Sequence, residues 1–152
     1  MVRTARIVAA GLVVMVAFGS VAMAGGRRLE TPLSGAEEVD ANGNVVGDAD
    51  GTGTASLTLN PGQEEVCFEL TWQNLDGTVQ HAHIHDAPAG QNGGVVVPLF
   101  VDQSFPMTGS FSDCVEGARG VLRQILRDPS GFYVNVHDTI RPTGAIRGQL
   151  ER

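Results

Sequence analysis

The chain has no lysine, only two cysteines, and no apolar run beyond residue 24 that approaches the length needed to cross a bilayer as a helix, about 20 residues. Positive charge rests on 10 arginines against 17 carboxylates, for a formal net charge of -7. An acidic chain without a basic run is a poor partner for nucleic acid or an anionic membrane surface, and it attracts cations instead. Also missing are G-x-S-x-G, a phosphate-cradling glycine loop, and a cysteine and histidine pair arranged as nucleophile and base. Nothing in the chain therefore marks acyl transfer or nucleotide chemistry.

The amino terminus carries Arg3 and Arg6, then the apolar run Ile7 to Phe18, then Ala22-Met23-Ala24. That order predicts a secretory signal peptide over residues 1–24, cleaved after Ala24, and one exported domain over 25–152, secreted or periplasmic and free of the membrane. Loss of Arg3 and Arg6 leaves 8 arginines against 17 carboxylates, and the formal charge moves from -7 to -9. In an oxidising compartment the simplest expectation for Cys67 and Cys114 is a disulfide.

The mature region reads as short strands. Thr54 to Leu59 alternates and stops at Asn60-Pro61-Gly62; Val66 to Trp72 alternates and stops before Asp76-Gly77; together they predict a hairpin. Further strands are expected around the histidines at 80–85, over the apolar run Val95 to Val101, weakly at Met107 to Phe111, and at Phe132 to His137 and Ala145 to Leu150. One segment departs from this pattern: Val115, Ala118, Val121, Leu122, Ile125 and Leu126 recur at helical spacing, with Asp113 and Glu116 placed as a capping box, so a single amphipathic helix is expected over about 114–127. The expected fold is mainly β, a Greek-key-like sandwich or barrel with one helix. Asp40 to Gly51 is rich in Asp, Asn and Gly, but Val45 and Gly51 stand where an EF-hand needs glycine and glutamate, and a solvated loop is expected.

All four histidines fall in two of those strands. His81, His83 and His85 alternate in one, and His137 closes the other. A strand sends alternate side chains to one face, so Ala82 and Ile84, like Phe132, Val134 and Val136, take the core, while the histidines share the opposite, accessible face. Three imidazoles at period two, with a fourth from a neighbouring strand, make a candidate metal site of His83, His85 and His137, with His81 as a fourth ligand. A nitrogen set without thiolate suits copper, zinc or nickel, and the divalent affinity order favours copper. Imidazole must be neutral to coordinate, so binding should weaken below about pH 6.5. Asp86 and Asp138, each following a histidine, are candidate acceptors that orient an imidazole.

Leu33-Ser34-Gly35-Ala36-Glu37-Glu38-Val39, Ala82-His83-Ile84-His85 with Asn92-Gly93-Gly94-Val95-Val96-Val97-Pro98-Leu99, and Tyr133-Val134-Asn135-Val136-His137 with Gly144-Ala145-Ile146-Arg147-Gly148-Gln149-Leu150 together resemble the CHRD domain, the module named after chordin. The resemblance spans nearly all of the mature chain and carries His83, His85 and His137; His81 is additional. It implies an extracellular module, which in chordin accompanies growth-factor binding. A second resemblance is narrower. The H-x-H strand, the later Val-Asn-Val-His-Asp strand and an arginine near the carboxyl end are similar to the copper ligands and guiding arginine of copper/zinc superoxide dismutases. This implies a copper-only centre with Arg147 drawing in an anionic substrate such as superoxide, since the bridging histidine and zinc loop have no counterpart here. Three roles follow: a copper redox enzyme, non-enzymatic copper storage or delivery, and a metal-free binding or structural module.

Overall fold

A computed structural model describes residues 26–152; the expected signal peptide lies outside these residues. Eight antiparallel strands form one sheet in the order β5-β4-β7-β8-β1-β2-β3-β6, curled into a nearly closed barrel. They are β1 (Arg27–Ser34), β2 (Thr52–Asn60), β3 (Glu65–Gln73), β4 (Val79–Asp86), β5 (Gly94–Phe100), β6 (Gly109–Glu116), β7 (Phe132–Asp138) and β8 (Ile146–Gln149). The expected hairpin is β2–β3, in register from Thr52 opposite Gln73 to Asn60 opposite Glu65.

Alternation explains the core. Leu57, Leu59, Val66, Leu70, Ala82, Ile84, Val134 and Val136 are fully buried on the inner face. The two edge strands, β5 and β6, meet without a ladder between them, and aromatic rings fill the seam. Phe100 packs 5.6 Å from Phe111 and 6.4 Å from Trp72, Phe105 lies 5.6 Å from Trp72, and the Trp72 indole N–H donates to Pro106 O at 2.8 Å. Cys67 and Cys114 face each other across β3 and β6 and are joined as a disulfide. In the chain-entropy model a loop of this size contributes roughly 4 kcal/mol by restricting the unfolded chain.

The helix is shorter than the sequence suggests. It spans Arg119–Arg127 (α1), buries Leu122 and Ile125, and begins at Ala118 without a side-chain cap. Residues 114–116 instead continue β6, where Cys114 and Val115 pair with Cys67 and Val66. Val115 therefore reaches the core from a strand, and Asp113 and Glu116 cap nothing; cross-strand pairing outweighs the helical spacing. β1 is the strand that alternation did not flag. Leu29, Thr31 and Leu33 point inward along it, but Arg27, Arg28 and Pro32 mask the pattern. The Asp40 loop closes on itself, with Asp40 accepting from the Asn42 and Asn44 backbones.

Candidate metal centre

Register lays out the outer face of β4, β7 and β8 as rows. His81 stands opposite His137; His83 opposite Asn135, which stands opposite Arg147; His85 opposite Tyr133, which stands opposite Gln149. The parity expectation holds, with histidines on one side and Ala82, Ile84, Val134 and Val136 on the other. The expected accessibility holds only in part: every residue of β7 is buried, and His85 and His137 are 8% and 7% exposed. The cover is the β4–β5 connection. It is clamped to the barrel by Asn92 Nδ2 donating to Val39 O at 2.8 Å, Arg147 Nη2 to Pro88 O at 3.1 Å, and Gln149 Nε2 to Ala87 O at 3.0 Å. The face stays open beside His81 and His83, both half-buried.

One ring nitrogen from each of His83, His85 and His137 lies within 4.8 Å of the others. Backbone carbonyls decide which nitrogens these are. His85 Nδ1 donates to Gly93 O and His137 Nδ1 donates to Pro142 O, each at 3.0 Å, so a neutral ring leaves Nε2 bare in both cases. His85 Nε2 is buried with no hydrogen-bond partner among the described residues, while His137 Nε2 lies 3.0 Å from His83 Nδ1 and 2.9 Å from Asn135 Oδ1. Such a carbonyl, imidazole and bare nitrogen series is how proteins orient metal-binding histidines. Gly93 must be glycine for its carbonyl to sit there, because a Cβ would lie 1.9 Å from Asp86 O.

Burial also sets protonation. Desolvation, followed by the neighbouring imidazoles, pushes His83 down to about 4; desolvation pushes His137 down to about 4 against the Pro142 hydrogen bond; His85 is lowered as well, chiefly by burial. His83 and His137 therefore stay neutral well below pH 6.5, with His85 lowered in the same direction, so the point at which acid would compete for these nitrogens moves down from the expected 6.5.

The remaining candidates fall elsewhere. His81 stands outside the convergent set: its Nδ1 accepts the Asp102 N–H at 3.2 Å. Asp86 is exposed, and Asp138 spends its carboxylate on the backbones of Gly77, Ile140 and Arg141, so neither orients an imidazole. Arg147 is 1% exposed, with its guanidinium stacked 3.4 Å over the Tyr133 ring and Nη1 on Asn92 Oδ1. Tyr133 in turn stacks on His85 with centroids 4.8 Å apart. Tyr133 thus touches both the His85 ring and the guanidinium, and the Arg147 charge is felt at His85, where it favours the neutral ring. Glu38 is 2% exposed, and burial raises it to about 7 against the opposing pull of Arg147 and the Asn135 side chain. Sequence reasoning did not single out Glu38, Asn135 or Tyr133; an acidic residue ahead of a turn and polar residues alternating with valine carry no specific signal.

A family model, the CHRD domain, matches residues 29–150, from the inner face of β1 to the end of β8. No curated protein and no solved structure shows significant similarity to the chain.

Proposed function

The chain belongs to the CHRD domain family, and from that premise we propose that it is an exported copper-handling member holding one copper ion through His83, His85 and His137. The observation that carries this reading is the pair of backbone carbonyls at Gly93 and Pro142, which leave two Nε2 lone pairs facing His83 in a buried, neutral cluster. Hydrogen bonding alone does not account for a buried Nε2 without a partner, since an unmet buried acceptor costs about 1–3 kcal/mol. A nitrogen-only histidine set favours copper, with zinc as the competing ion. The disulfide accords with an oxidising compartment, where the expected signal peptide would send the chain.

Arg147 favours holding or delivering copper over dismutating superoxide. Electrostatic steering needs a cation that an incoming anion can feel, and this one is buried, bonded to Pro88 and Asn92, capped on Tyr133 and set beside Glu38. The test is elemental analysis of the mature protein and of the His83→Ala/His137→Ala double variant. The wild type should carry one copper per chain and the variant none, with circular dichroism unchanged. Equal copper in both would sink the reading, and superoxide disproportionation well above free-copper controls would restore the enzymatic one.

A further inference from the structure

We propose that Asn135 completes the copper site as an oxygen donor, giving a three-nitrogen, one-oxygen set that favours divalent over monovalent copper; this rests on the copper reading above. Asn135 is 1% exposed, lies directly across from His83 and is two residues from His137 on the same strand. Its Oδ1 is 2.9 Å from His137 Nε2. The His137 Nδ1 proton is committed to Pro142 O, so Nε2 of the neutral ring has a lone pair to offer and no proton.

The amide oxygen, rather than the NH2 group, is the atom that faces the imidazoles. Glu38, 2% exposed, is close enough for the Asn135 side chain to favour its charged form against the burial that raises it. Gly144 makes room for the arrangement: a Cβ there would come within 2.4 Å of the Glu38 carboxyl. Two acceptors then face each other at 2.9 Å, a contact that repels unless a proton or a cation lies beside both. A second proton on His137 would add a positive charge to a buried face that already contains Arg147. His83 Nδ1–H can serve His137 Nε2, but then Asn135 Oδ1 meets only that ring's occupied nitrogen, and His85 Nε2 has no hydrogen-bond partner among the described residues. One cation among the three ring nitrogens answers all of these acceptors together. An amide oxygen is a hard donor, matched to a divalent ion; soft monovalent copper gains little from it.

The experiment titrates mature wild type, Asn135→Leu and Asn135→Asp against competing chelators, with copper(II) and separately with copper(I) kept reduced by ascorbate, which spares the disulfide. Asn135→Leu should weaken copper(II) by about 10–100-fold while copper(I) stays within about threefold, and Asn135→Asp should keep copper(II) affinity. Equal loss of both oxidation states, or no loss of copper(II), overturns the proposal. Pulsed electron paramagnetic resonance of wild type grown with 15N-asparagine gives a readout independent of whether the leucine variant folds. Coupling from an amide nitrogen, absent in Asn135→Asp, supports the oxygen ligand; no such coupling overturns it. Failure of wild type to bind either form of copper would instead remove the copper reading itself.

Discussion

The two halves of the barrel share an inner face and treat their outer faces in opposite ways. On β2, β3 and β6 the outward positions are threonine, serine, glutamate and a disulfide, exposed or half-exposed along each strand. The outward positions of β7 and its neighbours are histidine, asparagine, tyrosine and arginine, and on β7 all of them are buried. One half behaves as an ordinary one-sided antiparallel sheet, apolar inside and solvated outside. The other half covers a polar face with the β4–β5 connection and meets most of its polar groups one by one, leaving His85 Nε2 and Glu38 Oε2 without a hydrogen-bond partner among the described residues. Burying polar groups costs stability unless each finds a partner, so a fold that does it over one patch concentrates its chemistry there.

The sharpest way to separate the halves is to damage the seam while sparing the polar face. Trp72 is fully buried where β5 and β6 meet, and Trp72→Ala should cost about 3–5 kcal/mol in urea unfolding. The folded variant should still bind copper stoichiometrically, because no ring of the seam reaches the histidines. Loss of copper in a folded Trp72→Ala protein would show that the two regions are coupled.

The sequence disclosed the face of the barrel that holds the site but little of how that face is completed. Period-two alternation assigned His83, His85 and His137 to a side away from the core because side-chain parity is local. The covering of that side is not local. Asn92 reaches Val39 and Arg147 reaches Pro88 across long stretches of chain, and no spacing rule encodes those bonds. The same limit explains Arg147, read as a surface guide for an anion and found beneath the cover, and the imidazole acceptors, sought in Asp86 and Asp138 and found in the carbonyls of Gly93 and Pro142. Strand β1 was hidden by charge and Pro32, and the front of the expected helix was claimed by β6. In both places a long-range ladder decided what a short window could not.

Within the polar face, Arg147 tests whether the patch is held by its own bonds. Arg147→Gln removes the ring stack and leaves Glu38 without its buried cation, and it should cost about 1–3 kcal/mol of stability. On the solvated half, Thr54→Ala breaks only an exposed hydroxyl pair with Thr71 and should fall within about 0.5 kcal/mol of wild type. Equal unfolding midpoints for the two variants would mean that the buried arginine contributes no more than a surface hydroxyl.

The pH dependence of the copper-free protein takes its sign from two opposed sets of groups, the buried histidines and Glu38. His83 and His137 are held down to about 4 in the folded chain and return to their ordinary value near 6.5 on unfolding. Between those values the unfolded chain binds more protons, so their contribution to stability is lost as pH falls from 6.5 to 4 and changes no further below. Glu38 runs the other way. Raised to about 7 from 4.5, it binds its proton more readily in the folded chain, so stability is lost as pH rises from 4.5 to 7. Two histidines outweigh one glutamate, and His85, also lowered, adds to them. The urea midpoint should therefore fall on acidification from pH 6.5 to 4.5. Glu38→Gln removes the opposing arm, so its midpoint should fall more steeply over the same interval. An acid slope no steeper than that of wild type would mean that Glu38 does not titrate against the histidines, and that the acid response of the polar face belongs to its imidazoles alone.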